Sequence, residues 1–306
     1  MFVTVTPEWQ DMGSALVAEL CAHLPGTGPE DLALVVVQRN RAGEAKGFVH
    51  RGMEPVYPCS LVKAFHLIHA LAALEEGRAE AHGEMDRAMR DMILWSSNTA
   101  TNYVIDILTG TTGDTLLDGA EYLDWMTKRE RLNRFFWRMG WPEWEGCRIA
   151  QKLMDDTRYG REARFAAEGG GNLNRLTALA AARLMWELFE GDLPLSPPAR
   201  ARAQAILSRD PAGPDAARPE YQLSEYLGGA LPPGVQVWSK AGHNLWTGDA
   251  ATSWFKHDMI RITAPDRAPL IAVLMTQGKA IAQDHPQLLP QFGAKLWARA
   301  AEMEAG

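Results

Sequence analysis

The sequence predicts an α/β architecture of two lobes: an antiparallel sheet flanked by N- and C-terminal helices, with an all-helical lobe inserted into it. Two observations carry this. Strand-like runs fall near the two ends of the chain, and between about residues 56 and 230 only helical periodicities occur. Amphipathic patterns also open and close the chain. The expected division is a discontinuous α/β lobe of residues 1–55 and 231–306 and a helical lobe of residues 56–230, with a cleft between them as the natural place for a site.

Thr6-Pro7 is a helix-start pair, and Trp9, Met12, Leu16 and Leu20 recur at helical spacing, so the first element is an amphipathic helix expected to end near Pro25-Gly26. Leu32 to Val37 reads as a buried strand whose partner, Lys46 to His50, follows a turn over Arg41 to Glu44. From Ser60 to Glu76 the chain is apolar almost all round. That suits a helix buried through the middle of a lobe and ended by Gly77. Helical spacing continues in Met85, Met89 and Met92, in Tyr103, Val104, Ile107 and Leu108, in Leu132, Phe135, Phe136 and Met139, and in Leu176, Leu179, Leu184 and Leu188. After a proline-rich loop from Asp210 to Pro219 the character changes to strands at Val235 to Ser239, Ala250 to Phe255, Met259 to Thr263 and Leu270 to Thr276. A closing helix carries Leu288, Leu289, Phe292, Leu296 and Trp297.

With 306 residues the chain can bury a substantial core. A net charge of -7 offers no footprint for nucleic acid or an anionic membrane. No apolar run reaches membrane-spanning length, and Met1 to Gln10 lacks the basic start and apolar stretch of a secretory leader, so a cytoplasmic protein is expected. Cys21, Cys59 and Cys147 are too scattered for a disulfide framework or a zinc cluster and are read as reduced thiols. His66 and His69 share a helix face but lack an acidic or cysteine partner, so no metal and no cofactor are expected.

The chemistry centres on Ser60-Leu61-Val62-Lys63. If Ser60 starts the buried helix, Lys63 lies one turn on, and a neutral amine there could take the proton of a nucleophilic hydroxyl. Burial and a second cation would have to lower the lysine, which titrates near ~10.4 when free. By itself the segment can equally be an N-cap serine followed by an exposed lysine. Two further segments accompany it in order: Ser96-Ser97-Asn98, continuing Thr99-Ala100-Thr101-Asn102, and Lys240-Ala241-Gly242 at the end of an expected strand. Each alone reads as a cap, a turn or a strand end.

Together, S-x-x-K, S-x-N and K-x-G resemble the signature of the class A β-lactamase and penicillin-binding-protein superfamily of serine hydrolases, most closely its class A-like branch. The resemblance follows the order of elements from the first helix to the last. It implies Ser60 as the acylated nucleophile, Lys63 as its proton partner, and Ser96 as relay to the leaving group. Asn98 would contact the substrate amide and Lys63. Lys240 would supply positive charge for a substrate carboxylate and help keep Lys63 neutral, and Gly242 would let the strand come close. The backbone N–H groups of Ser60 and His243 would form the oxyanion hole, where one donor is worth about 3 to 4 kcal/mol of barrier. His243 could also contact substrate or carry a proton.

Several positions depart from that pattern. Ser97 and Ala241 stand where the signature has aspartate and threonine, and Ala241 removes a hydroxyl that in the family contacts the substrate carboxylate. Ser96 follows Ser60 by only 36 residues, so one cleft wall is expected to be trimmed, while Asp118 to Ala167, with Trp125, Trp137, Trp141 and Trp144, looks enlarged. Trp95, Trp238, Trp246 and Trp254 flank the motifs as candidate pocket aromatics or as core. Glu168 precedes Asn172 by four residues, the family spacing for the glutamate that activates the deacylating water, although Gly169-Gly170-Gly171 lies between them. Cys59 matches a position that is disulfide-bonded in some family carbapenemases, but Asn244 stands at the partner position, so no bond is expected. The expected activity is cleavage of an amide or lactam, possibly a β-lactam, through an acyl-enzyme on Ser60. The alternatives are an amidase, peptidase or esterase for a metabolite, or a penicillin-binding sensor that acylates without turnover.

Overall fold

The computed structural model describes residues 2–24, 26–40, 42–155, 157–168 and 171–303. Pro25, Arg41, Gly169 and Gly170, on which expectations about the first helix, the first turn and the glycine loop fell, lie outside them. The elements in chain order are β1 (Thr4–Val5), α1 (Pro7–Ala22), β2 (Leu32–Arg39), β3 (Ala45–His50), α2 (Val62–Glu75), α3 (Gly83–Leu94), α4 (Asn98–Thr109), α5 (Gly119–Arg129) and α6 (Arg131–Trp137). There follow α7 (Gly160–Ala167), α8 (Ala178–Phe189), α9 (Pro197–Leu207), β4 (Ser208–Arg209), β5 (Gln236–Asn244), β6 (Phe255–Ala264), β7 (Arg267–Gln277) and α10 (Leu288–Glu302).

One seven-stranded sheet, ordered β1-β3-β2-β7-β6-β5-β4, runs through the molecule. All neighbours are antiparallel except β1 with β3, so the sheet is mixed rather than purely antiparallel. Side chains alternate across it. Val35, Val37, Met259, Val273 and Met275 enter a core shared with α2, α3, α4 and α8. Leu34, Val36, Ile260, Ala272 and Leu274 enter a second core under α1 and α10. Both faces are covered, which is why β2 and β7 read as unbroken apolar runs.

Thr6 caps α1, its side chain accepting from the Trp9 N–H, and Pro7 occupies the first helical position, where its missing N–H costs nothing. α2 is buried along nearly its whole length, Val62 to Ala73, and Gly77 at φ +67° lets the chain turn away after it. Its histidines lie inside this core. His69 stacks on Phe135 with ring centroids 4.3 Å apart, and both His66 ring nitrogens lack a hydrogen-bond partner. Burial pushes both imidazoles down to about 3. Among the described residues no group of three His, Cys, Asp or Glu side chains could hold a metal ion.

Three expectations about strands need correction. β5 continues to Asn244, so Lys240-Ala241-Gly242 lies inside it, opposite Met259, Asp258 and His257 of β6. Pairing with β6 imposes the strand on a segment with no β-branched residue. Ala250–Thr252 is a short 3₁₀ turn capped by the Asp249 side chain, and β6 starts only at Phe255. The short β4 extends the sheet edge from inside the stretch expected to be wholly helical. No described helix is long and apolar enough to cross a membrane. Cys21, Cys59 and Cys147 are free thiols.

Candidate active site

A cavity of about 540 Å³ opens where the start of α2, the α3–α4 junction, the far half of β5 and two loops meet. Ser60, Ser96, Asn98, His243 and Trp95 all line it. Ser60 sits in a single 3₁₀ turn, Cys59–Leu61, that leads into α2, so the nucleophile candidate is one turn before the helix proper. β5 presses against it: a Cβ built on Gly242 would fall 2.4 Å from the Ser60 nitrogen. Glycine is required there for contact between strand and turn, and His243 follows at the same edge of the cavity.

The lysines lie under the cavity floor. Lys63 and Lys240 are fully buried, each within hydrogen-bond reach of the Ser96 hydroxyl, at 3.2 Å and 3.0 Å. Lys63 also donates to the Ser96 carbonyl and to Asn98 Oδ1 at 2.7 Å. Among the described residues no hydrogen bond joins it to the Ser60 hydroxyl. Burial lowers Lys63 to about 7, against the opposing pull of Asp155 and of Cys59. Lys240 is held well below the ordinary lysine value by burial, then by Lys63 and Arg209, while Asp258 pulls the other way. Asp258, buried beside β5, is itself pushed up to about 7 by desolvation although it accepts from the Leu227 N–H at 3.0 Å. Two amines this close cannot both keep a proton cheaply. Each amine has three acceptors: Lys240 donates to Ser96 Oγ, Gln222 Oε1 and the Ala241 carbonyl, and Lys63 donates to Ser96 Oγ, the Ser96 carbonyl and Asn98 Oδ1.

Local backbone strain marks the same place. Five described non-glycine residues have positive φ, and three of them, Cys59 (49°), Ser96 (53°) and Gln222 (54°), border the cavity. Such conformations cost on the order of 1 to 3 kcal/mol each and persist where the surroundings over-determine them. At Ser96 the φ aims both hydroxyl and carbonyl at Lys63, while Ser97 caps α4 through the Ala100 N–H.

A loop supplies the opposite wall. Gln151 and Asn174 close its base with three reciprocal hydrogen bonds. Asn102 of α4 clamps Leu153, accepting from its N–H at 3.1 Å and donating to its carbonyl at 2.6 Å. The loop thereby brings Asp155 to Asn98, whose Nδ2 donates to Asp155 Oδ1 at 2.6 Å. Asn98 is thus bonded to Lys63 on one side and to a carboxylate on the other.

Other candidates fall elsewhere. Glu168 ends α7 with its carboxylate on the Tyr122 hydroxyl and Arg164 Nε, both at 3.1 Å, and takes no part in the cavity wall. Asn172 bonds Arg148 and the Phe165 carbonyl. The Glu168–Asn172 spacing therefore belongs to surface and loop packing. The Ala241 methyl packs into the core under α1 and α10 rather than into the cavity. Of the tryptophans flanking the motifs only Trp95 lines the cavity. Trp238 packs on Phe189, Trp246 pairs with Trp254, and Trp125 and Trp144 are core. His243 Nδ1 meets the Tyr226 hydroxyl at 2.8 Å, and desolvation, then Lys256 and Lys240, holds the imidazole below its usual value. Sequence reading did not single out Asp155, Gln222, Tyr226 or Asp258. The one available signal was Asn102, which lay in the motif's continuation and proves to position the Asp155 loop.

A family model described as the beta-lactamase enzyme family matches residues 83–300, a stretch that holds the Ser96 and Lys240 segments and leaves Ser60 before it. No curated protein sequence matches the chain. A solved beta lactamase from Burkholderia vietnamiensis is similar to it with a TM-score of 0.63 at 17% identity, over 97% of this chain and 97% of its own. A class A beta-lactamase representing the last common ancestor of Gram-negative bacteria is similar with a TM-score of 0.59 at 22% identity, over 93% of this chain and 98% of its own. At these identities the likeness of the structures concerns the fold.

Proposed function

The chain belongs to the beta-lactamase enzyme family and is a β-lactamase-like serine hydrolase of amide or lactam bonds, and from that premise we propose that Ser60 is its nucleophile and Asp155 its deacylating base. The observation that carries this is the Ser96 hydroxyl held between two buried lysines beneath a cavity that Ser60 also lines. When substrate fills the cavity, Lys63 as a neutral amine takes the Ser60 proton. Ser60 Oγ bonds to the carbonyl carbon, and the backbone N–H groups of Ser60 and His243 receive the developing oxyanion. The carbon–nitrogen bond then breaks as the proton travels from Lys63 through Ser96 to the leaving nitrogen, with Lys240 as the fixed cation that keeps Lys63 neutral between steps.

Deacylation needs a base for water. Asp155, which accepts from the cavity-lining Asn98 and follows the lining residues Leu153 and Met154, takes the role that spacing suggested for Glu168. Water loses a proton to Asp155 and attacks the acyl carbon, and as the ester bond breaks that proton is handed on to Ser60 Oγ, which leaves Asp155 ionised and Lys63 neutral for the next cycle. Intact-mass time courses with a penicillin and a cephalosporin, run alongside substrate loss, test the reading. We expect an adduct or turnover that disappears in Ser60→Ala with the fold retained. Labelling that is unchanged in Ser60→Ala would remove Ser60 as the nucleophile.

A further inference from the structure

The resemblance assigns Lys240 to a substrate carboxylate, and the geometry around it points to something else. An ammonium has three N–H donors, and those of Lys240 are taken by Ser96 Oγ, the Ala241 carbonyl and Gln222 Oε1, the last at 2.7 Å. Lys240 is 0% exposed and does not line the cavity; Gln222, just above it, does. Gln222 is itself held in place: its backbone takes a left-handed turn at φ 54°, and its side-chain carbonyl accepts from Lys240 at 2.7 Å. A substrate carboxylate could reach Lys240 only by evicting this amide, leaving its carbonyl without the Lys240 partner it has inside the protein. The Ala241 methyl offers no hydroxyl in compensation, and Glu220 and Asp249 add negative charge to the cavity lining.

We infer that Gln222 is a specificity-determining residue: its side-chain carbonyl takes the seat on Lys240 that a substrate carboxylate would need, and so turns the site toward neutral amides, lactams and esters. The inference deepens the hydrolase reading and rests on it for the meaning of the cavity, but binding alone can test it.

The probes are benzylpenicillin and its methyl ester, which present the same ring with and without the carboxylate. Calorimetric titration of the Ser60→Ala protein removes the nucleophile from the comparison. The methyl ester is expected to bind about tenfold or more tightly than the acid, and Gln222→Gly on the same background to move the ratio about tenfold toward the acid. Glycine accepts the left-handed backbone of this position. Gln222→Asn is a second variant that tolerates it and is too short to cap Lys240 in the same way. Equal binding of acid and ester, a ratio unmoved by both variants, acid binding carried instead by Arg158 on the far wall, or binding of neither probe would each overturn the inference. Turnover on the unmodified protein speaks to Ser60 separately. An ester preference in binding without any turnover would unseat the hydrolase reading and leave the role of Gln222 standing.

Discussion

The two walls of the cavity are built on different principles. The motif wall, formed by the 3₁₀ turn before α2, the α3–α4 junction and β5, rests on the apolar core, and its two lysines have no exposed surface. The loop wall, with Leu153, Met154 and Arg158, hangs on side-chain-to-backbone hydrogen bonds from Asn102 and on the Gln151–Asn174 pair, and the neighbouring Asp155 is exposed. Burial sets the protonation of the first wall, because taking an amine from water disfavours its charge whatever the loops do. Polar anchoring sets only the position of the second. On the proposed roles, acyl transfer is tied to the fold, whereas release of the product is tied to a loop that can change without disturbing the core.

The sharpest way to break that division is at Lys63. Lys63→Ala should slow acylation by about a thousandfold, within the usual reach of a general base. The unmodified protein should acylate faster as pH rises through about 7, because only the deprotonated amine accepts the serine proton and the folded pKa lies there. Stopped-flow acylation across that range reads both. A profile flat between about pH 6 and about pH 8, or a Lys63→Ala rate within about twofold, would detach proton transfer from the buried wall. The next effect belongs to the loop wall. Asp155→Asn should leave acylation nearly intact and reduce deacylation by about a hundredfold, visible by mass as a persistent adduct. Glu168→Gln, at the end of α7, should turn over within about twofold of the parent. The reverse pattern would restore Glu168 and reduce Asp155 to a positioning partner of Asn98.

The same division explains what the sequence could disclose. Burial has a periodic signature, so α1, α2, β2, β7 and α10 were legible; S-x-x-K opens α2, S-x-N joins α3 to α4, and K-x-G lies inside β5. Hydrogen bonds between distant loops have none. Asp155 reaches Asn98 across 57 residues of sequence, and Gln222 reaches Lys240 across 18, through a backbone turn at φ 54° that no residue preference announces for glutamine. Glu168 and Asn172, which lie away from the cavity lining, show the complementary case. A spacing of four fits a loop glutamate beside its asparagine, but it fits equally the end of a short helix, where Arg164 binds Glu168 at (i, i+4). The extent of β5 was underread because Ala241-Gly242-His243-Asn244 carries no strand pattern and is a strand only by virtue of β6.

The smallest effect, and the one that probes the motif wall from beneath, concerns the histidines of α2. His66 lies one turn below Lys63, wholly buried, with neither ring nitrogen bonded. A neutral imidazole can sit there, at the cost of an unpaired polar group of about 1 to 3 kcal/mol. An imidazolium cannot. Folding therefore holds the pKa near 3, whereas the unfolded chain titrates near 6.5. Between those values the unfolded state binds the extra proton. The stability contributed by the neutral form is complete above about 6.5 and is lost as pH falls toward about 3, by up to about 1.4 kcal/mol per pH unit. His66→Leu should therefore change stability at neutral pH by less than about 1 kcal/mol, since the lost packing and the removed unpaired nitrogens offset one another. It should also flatten the acid limb and lower the pH at which the protein unfolds. Denaturant melts at a series of pH values measure both. An acid limb as steep in His66→Leu as in the parent would mean that this wall does not depend on a neutral imidazole, and the acid sensitivity would then be sought at His69, whose ring stacks on Phe135 in the same core.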